Sequence, residues 1–266
     1  MSVMSEEAKV AVVVPCFNEA ARLAREAFLG FAREHRSIRF IMVDDGSNDG
    51  TRELLAGLHE ALPEQFELLA LARNRGKAEA VRRGILRALD LAPYVGYWDA
   101  DLSTPLEEIP SFCEVLEHDS GVELIFGARV NLMGRSIRRR AIRHYLGRIF
   151  ATLASMMLDL AIYDTQCGAK LFRKSERIRR VFEDPFHTSW VFDVEILARL
   201  RSMKREGDPP LERIIYELPL RIWHDVRGSK VRPLDLLRVP RDLLWIYRTH
   251  LRRGVVGARK GARPVA

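Results

Sequence analysis

Asp99 and Asp101 stand one alanine apart in YWDADLSTP (97–105), directly behind a short apolar run. Like charges this close repel, and a shared divalent cation turns that repulsion into affinity. Carboxylate oxygens are hard ligands suited to a divalent cation, and a metal held by them can also bind a diphosphate. Thr104, Pro105 and Glu107 read as an N-cap, an N1 proline and a capping box, which would fix the two aspartates between a strand end and a helix start. The plainer alternative is an acidic turn with a helix cap.

Other residues of chemical interest share the same setting. VDDGSNDGT (43–51) places Asp44 and Asp45 before a glycine turn; a carboxylate there can accept hydrogen bonds from a base N–H or a ribose hydroxyl, although Asp, Gly, Ser and Asn are also ordinary turn formers. Arg73, Arg75 and Lys77 surround Gly76 and suit phosphate, or form a solvated basic loop. Cys16, Cys113 and Cys167 are odd in number and widely spaced, which fits neither a disulfide framework nor a C-x-x-C metal site and suits a reducing cytoplasm.

The elements that must position these residues alternate in type. VAVVVP, FIMV, FELLAL, YVGYW and VELIFG are strand-like, with helical runs at 19–34, 50–61, 77–90 and 106–117 between them. This rhythm predicts a parallel sheet covered by helices on both faces, with ligands bound beyond the carboxyl ends of the strands. Beyond residue 130 the pattern predicts helices at about 138–160, 175–182 and 191–205, a strand over 213–223 and a basic amphipathic stretch from about 233.

Forty-three Lys and Arg against 36 Asp and Glu leave a formal charge of +7, which favours an anionic partner: nucleic acid, anionic lipid or a phosphorylated small molecule. With 47% hydrophobic residues the chain reads as an ordinary globular protein rather than a disordered or membrane-embedded one. The start MSVMSEEAKV is acidic where a signal peptide is basic, so no export signal is expected. The longest apolar stretch, IFATLASMML, covers only residues 149–158, about half of what a bilayer span needs. Between Leu124 and Leu158 there are seven arginines and no acidic residue, and from Arg238 onward eight Lys or Arg and one Asp. Such segments suit anionic headgroups.

In order along the chain come VPCFNE (14–19), VDDGSNDGT, NRGKAEAVRRGI (74–85), DADLSTP, DTQCGAKLF (164–172), WVFDVEIL (190–197) and GSK (228–230). Over roughly residues 9–232 this set resembles the inverting family 2 glycosyltransferases of GT-A fold, most closely their dolichyl-phosphate β-glucosyltransferase branch. The resemblance implies an α/β fold, a Rossmann-like and mostly parallel sheet flanked by helices, with helical C-terminal embellishments. It implies a GT-A domain over 1–232, and the basic amphipathic segment over 233–266 reads either as a membrane-surface contact or as a solvated basic face whose apolar residues pack on the domain itself. Pro15, Asn18, Glu19, Asp44 and Asp45 would lie around the uridine, Lys77 and Lys230 at the donor phosphates, and Asp99 and Asp101 on Mg²⁺ or Mn²⁺ against the diphosphate of UDP-glucose. Arg129 would lie close to the acceptor phosphate, with a strand-end salt bridge as its plainer reading. Asp164, Gln166 and Asp193 would lie in loops over the sugar; Asp193 would stand where relatives with hydroxyl acceptors keep a catalytic base, or, in its plainer reading, near the N-terminus of a helix begun by WVFDVEIL.

The implied reaction moves glucose from UDP-glucose to a polyprenyl phosphate, giving a β-linked product, with the protein peripheral at the cytoplasmic face of a membrane. Alternatives are transfer of another sugar such as mannose or GlcNAc, a soluble acceptor, or a peripheral scaffold that binds nucleotide sugar without turnover. No nucleic-acid-binding fold is recognisable. Three departures from the family's pattern are expected: neither the N-terminal anchor nor the C-terminal spans common in it are expected from these residues, Ala78 and Glu79 stand in a stretch that is usually glycine-rich, and Ala169 replaces an aromatic.

Overall fold

The computed structural model describes residues 8–138, 141–226 and 233–252. Five runs rich in β-branched and aromatic residues form β1 (Val10–Cys16), β2 (Ile38–Asp44), β3 (Phe66–Ala70), β4 (Tyr94–Trp98) and β5 (Leu124–Ala128). Between them lie α1 (Arg25–Glu34), α2 (Thr51–Ala61), α3 (Lys77–Ala88) and α4 (Ile109–His118). Then follow β6 (Ser136–Arg138), α5 (Ala141–Leu158), β7 (Ala169–Arg173), α6 (Glu176–Glu183), α7 (Phe192–Ser202), α8 (Leu211–Ile214), β8 (Ile215–Pro219), β9 (Ile222–His224) and α9 (Pro233–Ile246). A π-helical turn, Tyr247–Leu251, extends α9.

Among the described residues the main sheet has seven strands in the order β3-β2-β1-β4-β7-β5-β8. β7 pairs antiparallel with both β4 and β5, and the other pairings are parallel. The carboxyl ends of β1 to β5 and the start of β7 therefore meet at one edge, where loop residues can converge. β6 and β9 form a separate two-stranded ribbon.

Apolar side chains cover both faces of the sheet. One layer holds Val13, Val43, Val81, Tyr97, Phe126, Phe172 and Phe192, and the other Val12, Phe28, Phe40, Phe66, Trp98 and Phe112. Phe40 stacks on Phe66 at 5.2 Å and meets Phe28 edge-on at 5.6 Å; burying each such ring contributes about 1.5–3 kcal/mol. Ile246 and Leu251 belong to the first layer, so the described part of the basic C-terminal stretch packs on the main core.

Two local expectations are corrected. Thr104 does not cap a helix: the chain enters through a 3₁₀ turn, Leu106–Glu108, preceded by Pro105, and α4 starts only at Ile109 with Pro110 in its first turn. Tertiary hydrogen bonds set the backbone course there, since Trp98 Nε1 donates to the Thr104 carbonyl at 2.8 Å and His224 N to that of Ser103 at 3.0 Å. The single strand expected over 213–223 is instead α8, β8 and β9, because Leu220 N turns to the Ala128 carbonyl and the Arg221 carbonyl accepts from Ser136 N.

Candidate active site

The loop after β4 is held from several sides. Asp99 N donates to the Gly168 carbonyl at 3.0 Å, and Leu102 N to the Asp99 carbonyl at 3.2 Å. Asp101 Oδ1 accepts from Ser103 N at 3.0 Å and Ser103 Oγ at 2.8 Å. Leu102 sits at φ 51°, a left-handed conformation that a leucine adopts only when its surroundings impose it. Gly168 makes room for the first aspartate: a Cβ on it would lie 1.8 Å from Asp99 Oδ2.

Lys77, the first residue of α3, reaches Asp99 Oδ1 at 2.5 Å. Burial works against its charge, but Asp99, Asp193 and Asp101 outweigh that and raise its pKa. Arg22 is held bidentately by Glu19, and its pKa is raised by Glu19 against burial, with a smaller contribution from Asp101. Two partly buried carboxylates are thus balanced by nearby cations.

The residues expected around a nucleoside mostly build the walls. Asp44 is fully buried and accepts from Ser47 N at 2.9 Å and Arg52 Nε at 2.8 Å. Asp45 accepts from Arg75 N at 2.7 Å and Gly76 N at 2.8 Å, yet burial prevails and raises its pKa. Gly46, at φ 70°, packs so closely on Arg73 and Asn74 that a Cβ would come within 2.4 Å of backbone. Asn18 Oδ1 accepts from Asn48 N and Asn18 N donates to Ser47 Oγ, both at 3.0 Å, while Glu19 N donates to Thr51 Oγ1 at 2.7 Å. Pro15 lies in β1 opposite Val43. The loops after β1, β2 and β3 therefore form one bonded unit.

On the other flank Arg129 and Asp164 form a bidentate pair, with Nε to Oδ2 at 2.6 Å and Nη2 to Oδ1 at 2.7 Å. The guanidinium lies 5.4 Å from the Trp223 ring centre. Burial opposes its charge, but Asp164 raises the arginine's pKa further. The Glu217 carboxylate accepts from the backbone N–H of both Tyr163 and Asp164 at 2.8–2.9 Å. Gln166 Nε2 and Thr165 Oγ1 are buried and have no hydrogen-bond partner among the described residues, so two polar groups of this loop have unused bonding capacity.

Asp193 lies in the first turn of α7, nearly buried, where its Oδ1 meets Lys170 Nζ at 2.7 Å and accepts the Tyr97 hydroxyl. Ala169 is fully buried in the layer that holds Trp98 and Phe112, so the missing aromatic concerns core packing. Cys167 is buried, which raises its pKa and keeps the thiol protonated. Lys230 lies outside the described residues. Sequence reasoning missed Arg22, Gly168, Lys170 and Glu217; the first three lie in or beside the quoted motifs, while Glu217 carries no motif signal.

Asp99 and Asp101 fit a hard divalent cation in donor chemistry. Among the described residues no three or more His, Cys, Asp or Glu gather to hold a metal, so two carboxylates would need phosphate and water oxygens to complete the shell. No helix among the described residues is long and apolar enough to cross a membrane.

The family model described as glycosyl transferase family 2 matches residues 11–178. The dolichyl-phosphate beta-glucosyltransferase of Saccharomyces cerevisiae is 31% identical, over 92% of this chain and 76% of its own length. The human protein of the same name is 30% identical, over 91% and 76%. Glucosyl-3-phosphoglycerate synthase from Mycobacterium tuberculosis, solved with Mn²⁺ and UDP-glucose, superposes with a TM-score of 0.63 at 20% identity, covering 91% of this chain and 79% of that one. A second structure of that enzyme, with Mn²⁺, UDP and glucosyl-3-phosphoglycerate, gives 0.62 at 20% identity over 91% and 80%. With its mostly parallel sheet and charged edge loops, the chain belongs to glycosyl transferase family 2 and is a glycosyltransferase of GT-A fold.

Proposed function

We propose that the chain transfers glucose from UDP-glucose to a polyprenyl phosphate with inversion, giving a β-linked polyprenyl-phosphate glucose. The observation that carries this reading is the sheet edge at which the loop of Asp99 and Asp101, with Lys77 on Asp99, follows β4 and the Arg129–Asp164 pair follows β5, on either side of β7. The names of the two relatives support the sugar and the lipid acceptor.

In this reading the unit formed by the loops after β1, β2 and β3 holds the uridine, with Pro15, Asn18, Glu19, Asp44 and Asp45 shaping its walls. Asp99 and Asp101 would hold Mg²⁺ or Mn²⁺, which when bound would neutralise diphosphate charge and make UDP a better leaving group. Lys77 moves from Asp99 to the diphosphate, and Lys230 contributes a second cation. Asp164 and Gln166 orient the sugar, and Arg129 orients the acceptor phosphate, an anion its planar guanidinium suits.

A phosphate monoester has a second pKa of about 6, so at neutral pH the acceptor is already a nucleophile and needs no base. Its oxygen bonds to the anomeric carbon as the bond from that carbon to the UDP oxygen breaks, and the electron pair leaves with UDP. The enzyme's contribution is placement of the oxygen and stabilisation of the departing charge.

The lipid side of the reading rests on exposed apolar residues. Ile149, Leu153 and Met156 are 60%, 52% and 75% exposed along one side of α5, and Leu132 and Met133 are exposed just beyond Arg129. We place this face on an anionic bilayer, with the protein peripheral at the cytoplasmic side. Proton NMR of the product's anomeric proton tests the chemistry. A β-linkage is expected, and an α-linkage would contradict in-line displacement.

A further inference from the structure

Lys170 is an unusual residue for its position. It lies in β7 between the apolar strands β4 and β5 and is 0% exposed. Its ammonium donates to the Cys167 carbonyl at 2.5 Å, pairs with Asp193 Oδ1 at 2.7 Å, and lies 5.2 Å and 4.9 Å from the Tyr97 and Phe126 ring centres. Replacing a buried ion pair by apolar residues of similar volume is often neutral or stabilising. Stability alone is therefore a weak reason for a charge here.

The geometry indicates what the ammonium positions. Cys167 is followed by Gly168, whose carbonyl accepts from Asp99 N at 3.0 Å and whose Cα hydrogens face the Asp99 carboxylate, where a Cβ would lie 1.8 Å from Oδ2. A shift of the 167–168 peptide would therefore move Asp99 through both its backbone and its side chain. Asp193 reaches the same ammonium from the first turn of α7, and Tyr97, opposite Lys170 in the sheet, donates its hydroxyl to the same Asp193 oxygen.

We infer that Lys170 is a positioning residue: through the Cys167 carbonyl it fixes the turn on which Asp99 rests, with Asp193 as its buried counter-ion. This rests on the reading above, in which Asp99 takes part in metal-dependent binding of the donor diphosphate. Asp193 then serves the placement of the metal-side carboxylate, and the anionic acceptor asks nothing more of it.

The test compares the full chain with Lys170→Met, Asp193→Asn and the double variant, using thermal melts of the free protein and calorimetric titration of UDP with and without Mn²⁺. Each single variant leaves one buried group unpaired, so each should melt lower than wild type by ~5 °C or more, and the double variant should melt above both. In the folded double variant the gain in UDP affinity from Mn²⁺ should fall about tenfold or more, while UDP alone binds within about twofold of wild type. A double variant that keeps the full Mn²⁺ gain would overturn the positioning role, and one that melts no higher than the single variants would overturn the pairing. If neither single variant can be purified, the double variant's Mn²⁺ gain decides. Wild-type protein whose UDP affinity does not respond to Mn²⁺ would contradict the donor reading itself, and the melts would still judge the pairing.

Discussion

The ammonium of Lys77 rests 2.5 Å from Asp99 Oδ1, on an oxygen that a metal would need. Lysine and metal therefore compete for one carboxylate until a diphosphate gives the lysine another partner. Lys77→Met should tighten Mn²⁺ binding in the absence of nucleotide by about threefold to tenfold and weaken UDP binding by a similar factor, as expected for a charge-assisted contact. Titrations with Mn²⁺ alone and with UDP check the two opposite signs.

Gly168→Ala puts a methyl group where the Asp99 carboxylate lies. Overpacking of this kind costs about 1–3 kcal/mol, and a displacement of about 1 Å at a reacting site can cost about a hundredfold in rate. Far-ultraviolet circular dichroism should remain native while Mn²⁺-dependent UDP binding is largely lost.

Glu217→Gln replaces an acceptor of two backbone N–H groups with an amide that has one acceptor oxygen. Oε1 alone already accepts from both N–H groups, so the amide oxygen can keep both bonds, and about 1 kcal/mol of stability should go with the lost charge assistance and the amide NH₂ set against the Tyr163 N–H. If the 163–164 turn also positions Asp164 and Arg129, KM for the acceptor should rise more than KM for the donor. Steady-state kinetics with each substrate varied separates the two.

The imidazole of His250 has a buried Nε2 with no hydrogen-bond partner among the described residues, and its pKa is lowered from 6.5 first by burial and then by Arg199, with Glu195 opposing. The native site resists a proton that the unfolded chain accepts below pH 6.5. Stability is therefore fully present above that value and declines as the pH falls from it towards the lowered native pKa. Melting temperatures of wild type should fall across this window, and those of His250→Gln should be flatter there.

Ile149→Asp with Met156→Asp charges an exposed stripe of α5. Surface changes of this kind usually move stability by less than about 0.5 kcal/mol. Wild type should cosediment with anionic liposomes and release as salt rises, and the double variant should bind more weakly at every salt concentration.

The legible part of the fold was the part written in long apolar runs. β1, β2, β4 and the helices between them follow from hydrophobic pattern, and the sheet edge that gathers the site follows from their order. β7 escaped because AKLFR carries two basic residues and sits at the end of a loop motif, and only the tertiary pairing of Lys170 with Asp193 explains a charge there. The Thr104 cap misled because tertiary hydrogen bonds to Ser103 and Thr104 override a local signal. Within the site, Asp99, Asp101 and Lys77 were visible as residue types. That Asp45 and the backbone of Glu19 bond to their own framework was not, since such bonds depend on residues 30 to 32 positions apart meeting in space.

The account depends most on glucose reaching a lipid phosphate at this edge. Purified protein with Mn²⁺, radiolabelled UDP-glucose and a short-chain polyprenyl phosphate, extracted with organic solvent, measures it directly, with Asp101→Ala as the comparison. The account predicts label in the organic phase that requires both the metal and Asp101. Label that stays in water although UDP-glucose binds in a metal-dependent way would contradict the lipid acceptor and leave only the donor half standing.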